Sequence, residues 1–254
     1  MRPGQDPWVI FPKPAPLARV RLFCFPYAGG SASIFRAWPA VLGPEIELGA
    51  IQLPARERRL ADAPVSHLPS LVEALARSMQ GYADLPFAFY GHSMGALVAF
   101  EVARRLHGEG SPGPAHLFLS GHKAPQRPAW LPSIYHLPDE EFIEGLRRLD
   151  GTPEDVLQNK ELLQLLLPAL RADFEIVNTY TYVAGPPLDC PISIFRSMQD
   201  SEVTRDDLEA WREQTTGEFR LRMMPGGHFF LHSAYPAILQ AITSDLAPLL
   251  KAYG

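Results

Sequence analysis

Apolar positions along the chain fall into two rhythms. Short apolar runs stand at 20–25, 47–53, 87–90, 116–120, 192–195 and 219–224, several of them stopped by proline or glycine, and each has the length of a strand. Between and after them lie stripes with helical spacing. At 68–82 the apolar residues are Leu68, Leu71, Val72, Leu75 and Met79; at 96–106 only Glu101, Arg104 and Arg105 are polar among Leu97, Val98, Phe100, Val102, Ala103 and Leu106; a last stripe runs from 232 to 250. Strands alternating with helices predict an α/β fold, a mostly parallel sheet covered on both faces.

Two stretches break this rhythm. Residues 1–18 carry Pro3, Pro7, Pro12, Pro14 and Pro16 and read as an extended arm before a domain spanning 19–254. About 70 residues separate Ser120 from Ile192, whereas a crossover helix needs roughly a dozen. Helical patterns occupy 140–149, 156–167 and 169–182 of that interval. In the middle one Leu162, Leu163, Leu165, Leu166 and Leu167 cover nearly every face, and a helix apolar all round is buried on more than one side. The expectation is an inserted helical lid, about 125–185, over the carboxyl edge of the sheet.

Composition narrows the class. A chain of 254 residues suits one hydrophobic core, and 46% hydrophobic with 20% charged residues is ordinary for a soluble globular protein. The net charge of −5 argues against a nucleic-acid partner. No apolar stretch approaches the roughly 20 residues of a membrane span, and the segment Met1 to Pro7 has no apolar core behind its charge. A cytoplasmic protein with no membrane partner is expected. Cys24 and Cys190 sit beside apolar runs without CxxC spacing and read as buried free thiols.

The chemistry centres on Gly91-His92-Ser93-Met94-Gly95, a G-x-S-x-G pattern between a strand and a helix. That context makes Ser93 a nucleophile held on a tight turn with a helix amino terminus behind it. Serine needs a base. Of eight histidines, His228 lies in a glycine turn just past the sixth predicted strand, at the carboxyl edge where sites of open α/β folds collect. His67 and His107 go with helices, His116 starts a strand, His122 and His136 read as rim residues of the lid, and His232 opens the last helix. The acid lies between serine and histidine if the order is Ser…Asp…His. Asp189 precedes its strand, Asp206 and Asp207 fall at an apparent helix start, and Asp200 follows the fifth strand at the edge of His228; Asp200 is therefore assigned. The oxyanion donors are the N–H of Met94 and one from Phe25-Pro26-Tyr27-Ala28-Gly29-Gly30, with Ala28 first and Tyr27 the near alternative. No HExxH, metal-ligand cluster, dinucleotide fingerprint or phosphate loop is present, so no metal or cofactor is expected.

The order of five segments resembles one family: Phe25-Pro26-Tyr27-Ala28-Gly29-Gly30, Leu53-Pro54-Ala55-Arg56-Glu57-Arg58-Arg59, the serine elbow, Pro186-Pro187-Leu188, and Pro225-Gly226-Gly227-His228-Phe229-Phe230. Together they are similar to the stand-alone type II thioesterases, α/β-hydrolases that accompany polyketide synthases and nonribosomal peptide synthetases. The resemblance spans roughly 20–245 and implies hydrolysis of stalled or mis-primed acyl groups from the phosphopantetheine arm of acyl or peptidyl carrier proteins. Its triad falls on Ser93, Asp200 and His228. The sequence departs from the family at Ala55, where glycine is more frequent, and at Arg196-Ser197 before the acid loop. A leucine-rich lid would line the acyl chamber, and Lys123, Arg127, Arg56, Arg58 and Arg59 offer cations for an acidic carrier, the alternative being solvated surface charge with Arg56 paired to a neighbour for structure. A carboxylesterase or lipase shares the triad, and a non-catalytic docking subunit shares the fold.

Overall fold

The computed structural model describes residues 6–128, 132–149, 154–199 and 203–252. Its strands are β1 (Val9–Ile10), β2 (Val20–Phe25), β3 (Ile46–Ile51), β4 (Phe87–His92), β5 (Leu117–Ser120), β6 (Ile192–Ser197) and β7 (Phe219–Met224). They form one sheet in the order β1-β3-β2-β4-β5-β6-β7. All neighbours are parallel except β1, which runs antiparallel to β3 with Val9 opposite Ile51. The six strands expected from apolar runs are present. The arm adds a seventh, because its residues 9–10 pair with the free edge of β3.

Strands buried on both faces are apolar almost throughout, and β2 shows why. Phe23 and Phe25 point to one core with Phe87 and Phe89, against α1 (Leu68–Gln80) and α2 (Met94–Gly108). Leu22 and Cys24 point to the other with Tyr90, Phe118 and Phe195, against α7 (Tyr235–Ala252). Both cysteines are buried and free. The polar exception in β2, Arg21, is buried at the amino end of the strand and satisfied by Glu47, Asp84 and the Tyr82 carbonyl.

Between β5 and β6 come α3 (Asp139–Arg148), α4 (Glu154–Gln158) and α5 (Lys160–Thr179), followed after β6 by α6 (Arg205–Glu209). Two expectations are corrected here. The break between the second and third helices of the insertion falls at Asn159, not at Pro168. The Asn159 side chain caps α5 by accepting from the Leu162 N–H at 3.1 Å, and α5 runs on through Pro168. Nor is this helix buried all round. Leu163, Leu167 and Leu170 join Ile134, Phe142, Leu146 and Phe174 in a small core of the insertion, while Leu162 and Leu165 are exposed. Its carboxyl end is tied to α2: Tyr180 donates to Glu101 at 2.7 Å and Arg104 to the Val183 carbonyl at 2.7 Å.

At the amino edge of the sheet, Asp245 of α7 accepts from Ser193 of β6 at 2.7 Å and from Arg222 of β7 at 2.6 and 2.7 Å, and also pairs with Arg220. The Asp245 side chain is 2% exposed, so removing it leaves Arg222 without its carboxylate and takes one partner each from Arg220, which keeps Glu218, and Ser193, which keeps His116. Asp245→Ala should cost about 3 kcal/mol in denaturant unfolding, at the lower end of broken buried pairs because the arginine heads keep some water. A loss below about 1 kcal/mol would show that the arginines are satisfied without it.

Candidate active site

Ser93 occupies the single residue between β4 and α2, with φ 53° and ψ −120°, a left-handed strained conformation for a side-chain-bearing residue. The turn closes only because its flanks lack side chains. A Cβ on Gly91 would overlap the Gly95 carbonyl, and one on Gly95 would overlap the carbonyls of Phe25 and Pro26. The Ser93 N–H donates to the Ser120 carbonyl at 2.8 Å, fixing the turn to the end of β5. Met94 is the first residue of α2, so its N–H has no intrahelical acceptor and the positive end of the helix dipole lies at the serine.

Tyr27–Gly30 forms a turn at the end of β2, closed by Gly30 N–H to the Tyr27 carbonyl at 2.8 Å, with Gly29 at φ 78°. Peptide planarity then turns the Ala28 N–H away from that carbonyl. The Tyr27 ring lies edge-on to His92 and Phe229, and its hydroxyl is 2.9 Å from His232 Nε2.

His228 follows β7 in the turn after Gly226, half-buried, at the same edge as Ser93. Its ring centroid is 5.3 Å from that of His92, the residue before Ser93. His92 is fully buried; its Nδ1 is 2.8 Å from Ser120 Oγ, which is 3.0 Å from the Tyr90 hydroxyl. Burial, with His228 and His232 nearby, holds the His92 imidazole well below its ordinary pKa and therefore neutral.

Ser93, Met94, Ala28 and His228 thus converge on the carboxyl edge. Asp200 lies outside the described residues. The residues before it are held to the loop of His228: Met198 N–H donates to the Met224 carbonyl at 2.9 Å, and the Ser197 hydroxyl donates to the Gly226 carbonyl. Asp207 is engaged elsewhere, in a capping box with Thr204 and at 3.4 Å from Lys123, and Asp189 is exposed before β6. His122 is buried, its Nδ1 2.7 Å from the Lys123 carbonyl and its own carbonyl accepting from Trp211. His232 lies in the turn before α7 instead of opening it.

Sequence reasoning missed one pair. Arg56 and Asp173, both buried, meet in a two-pronged ion pair at 2.8 and 2.9 Å directly behind the Tyr27–Gly30 turn. Arg56 is therefore not a surface cation. Ala55 beside it has φ 61°, which explains why glycine suits that position better. The available signal was helical spacing: Asp173 falls three or four residues from Ala169, Leu170, Ile176 and Val177, on an apolar stripe.

A second Ser–His–Asp group is a decoy. His116 Nε2 is 2.9 Å from Ser193 Oγ, which bonds Asp245, but Ser193 is wholly buried at the opposite edge. Among the described residues no group of three or more His, Cys, Asp or Glu could hold a metal ion, and no helix is long and apolar enough to cross a membrane.

A serine on a strained elbow at the carboxyl edge of a parallel sheet, at the same edge as the loop past the last strand, defines an α/β-hydrolase. Residues 20–246 match the thioesterase domain family, and the chain belongs to it. It is 46% identical over 243 residues to the gramicidin S biosynthesis protein GrsT of Aneurinibacillus migulanus, covering 96% of this chain and 95% of that one. It is also 43% identical over 249 residues to a Brevibacillus parabrevis protein named linear gramicidin dehydrogenase LgrE, covering 97% and 95%. The fold matches the type II thioesterase BorB from the borrelidin biosynthetic cluster with a TM-score of 0.86 and 39% identity, covering 95% of this chain and 98% of that one. The word dehydrogenase in the second name finds no dinucleotide fingerprint in this sequence.

Burial lowers the pKa of both His116 and His122 to about 4, and holds that of His92 well below its ordinary value. Each binds its proton in the unfolded chain near pH 6.5 but not in the folded one, so stability is complete above about pH 6.5 and falls as pH drops toward 4. Unfolding free energy measured from pH 7 to pH 4.5 should decline steadily, and His116→Gln should flatten part of the decline. A stability independent of pH over that range would contradict the neutral, buried state of these rings.

Proposed function

We propose that the protein hydrolyses acyl thioesters on the phosphopantetheine arm of acyl or peptidyl carrier proteins, clearing stalled or aberrant acyl groups from a polyketide or nonribosomal peptide synthase in the cytoplasm. The observation that carries this is Ser93 on its strained elbow at the amino end of α2, sharing an edge with His228 in a thioesterase-family chain.

In this reading His228 takes the Ser93 proton as the oxygen adds to the thioester carbonyl. Negative charge collects on the carbonyl oxygen and is held by the N–H groups of Met94 and Ala28. The intermediate collapses, the C–S bond breaks, and the imidazolium returns its proton to the departing sulfur. Water, deprotonated by the same imidazole, then cleaves the acyl-serine and regenerates the hydroxyl. Asp200 fixes the imidazole tautomer and stabilises the imidazolium. The tie between Ser197 and Gly226 supports that role, since it keeps the two loops together. Side chains and backbone supply every step, so the reaction calls for no cofactor.

The insertion between β5 and β6 acts as the lid. A groove of about 300 Å³ runs between its last helix and the end of β5, lined by His122, Lys123, Arg127, Asn178 and Tyr180, and suits a long, flexible, anionic arm. Of the cations expected at a docking surface, Arg127 and Arg58 are exposed. Arg59 pairs with Asp62 and lies over the Trp8 ring, and Lys123 is held by Asp207.

Ser93→Ala and His228→Ala should each lower kcat by at least about 1,000-fold, with the double variant no worse, because such residues act as a unit. Asp200→Asn should retain more activity. Acyl-carrier thioesters should be cleaved faster than oxygen esters of equal chain length; the reverse preference would make the protein a carboxylesterase. Arg127→Glu should lower kcat/KM on carrier-bound substrate and weaken its salt dependence, leaving a small free thioester unaffected. Equal losses on both substrates would remove Arg127 from docking.

A further inference from the structure

We infer that Asp173 is a positioning residue through which the seating of the lid forms the oxyanion site. The inference rests on the reading above, in which the Ala28 N–H is a donor to the oxyanion.

Asp173 lies on α5, inside the insertion, and is 1% exposed. One carboxylate oxygen accepts the Gly29 N–H at 2.7 Å and Arg56 Nη1 at 2.8 Å; the other accepts Arg56 Nη2 at 2.9 Å. Arg56 Nη1 also donates to the Gly30 carbonyl at 3.0 Å, and its Nε to the Pro54 carbonyl at 3.0 Å. The Tyr27–Gly30 turn is thus gripped at consecutive residues, by its Gly29 N–H from the lid and its Gly30 carbonyl from the β3 loop. One turn of helix earlier, Leu170 fills the space where Gly29 lacks a Cβ.

Net stability does not explain an ion pair here, because a buried pair is on average matched or bettered by apolar packing. What the pair supplies is direction. Its donors and acceptors are fixed in the plane of a guanidinium and aimed at two particular peptide groups. The chain also tolerates strain to present Arg56: Ala55 and Glu57 on either side have φ of 61° and 48°, and with Ser93 they are the side-chain-bearing residues at positive φ among those described. Strained backbone of this kind concentrates where geometry serves function.

A lid lifted together with this part of α5 would take the carboxylate away. Gly29 N–H and Arg56 then lose their acceptor together, and the turn that aims the Ala28 N–H loses its outer support. With the lid seated, the donor is in place before substrate charge develops. Chemistry is thereby confined to the covered site, where acyl transfer is shielded from solvent.

The test compares the parent with Asp173→Asn and Arg56→Lys, well below their melting temperatures. Asp173→Asn keeps the shape but cannot hold both Arg56 prongs and Gly29; Arg56→Lys keeps the charge but not the fork. Each is assayed on acetyl and long-chain thioesters and for affinity toward an alkyl trifluoromethyl ketone. Ser93 adds to the carbon of that probe, its proton passes to His228, and the ketone oxygen becomes an oxyanion. Expected for Asp173→Asn is a fall in kcat of about 100-fold, KM little changed, the same loss at both chain lengths and an equal loss of ketone affinity, with Arg56→Lys intermediate. Unchanged kcat and ketone affinity in a folded variant, or a defect confined to KM for long chains, would overturn the inference and leave the lid as a wall of the acyl chamber. Should Asp173→Asn fail to fold, Arg56→Lys decides by the same two readouts. Failure of the parent to bind the ketone through Ser93 would instead sink the functional reading itself.

Discussion

The chain has no room for a side chain at Gly91 or Gly95, and the arrangement of the whole carboxyl edge follows from that close approach. The first turn of α2 rests on the carbonyls of Phe25 and Pro26, so the loop leaving β2 begins beside Ser93. Ser93 N–H is bound to Ser120, so the end of β5 is drawn to the same point. Strain at Ser93 costs on the order of 1–3 kcal/mol. It is offset by the helix that follows, in which Met94, Leu97, Val98, Phe100, Val102 and Leu106 are all buried between the sheet and its neighbours. Any side chain at residue 95 would lift α2 from β2 and move the serine relative to the loop that faces it.

The architecture and most of the site were legible because they depend on local rules. Apolar runs marked six strands, helical stripes marked the helices that cover the sheet, and the glycine-flanked serine and the histidine past β7 stood out by position. The unread parts are governed by contacts distant in sequence. Asn159 won over Pro168 as a helix boundary because a cap supplied a hydrogen bond, whereas α5 continued past the proline within the packed insertion. The leucines of α5 suggested burial on every side, yet they divide into a packed face and an exposed one once α3 is in place. Arg56 in Arg56-Glu57-Arg58-Arg59 read either as a docking cation or as paired for structure; the second holds, with a partner 117 positions away that local spacing does not reveal. Two residues of the arm became β1 because β3 offered an unpaired edge.

Buried charge is used at both ends of the sheet for different ends. At the amino edge Arg21 binds Glu47 and Asp84, and Asp245 binds Arg220 and Arg222. These pairs join strands to one another and to α7, and they hold a serine and a histidine that look reactive on paper but face no solvent. At the carboxyl edge the pair joins a backbone turn to a helix of the insertion. The chemistry of the groups is similar in both places; what differs is whether the elements they connect are parts of the sheet or belong to the cover above it.

The ends of the sheet carry a further consequence. A parallel sheet leaves a row of unpaired N–H and C=O groups at each margin, a template onto which another chain can add a strand. Here one margin is β3, its end covered by β1, two residues long and reversed in direction, and its remaining residues 46–49 carrying Glu47. The other is β7, where Arg220 and Arg222 alternate with apolar residues and are drawn inward by Asp245. Neither offers a long, flat, uncharged border. The protein can therefore build a seven-stranded sheet behind its serine elbow without presenting that sheet as a seed for intermolecular β-pairing.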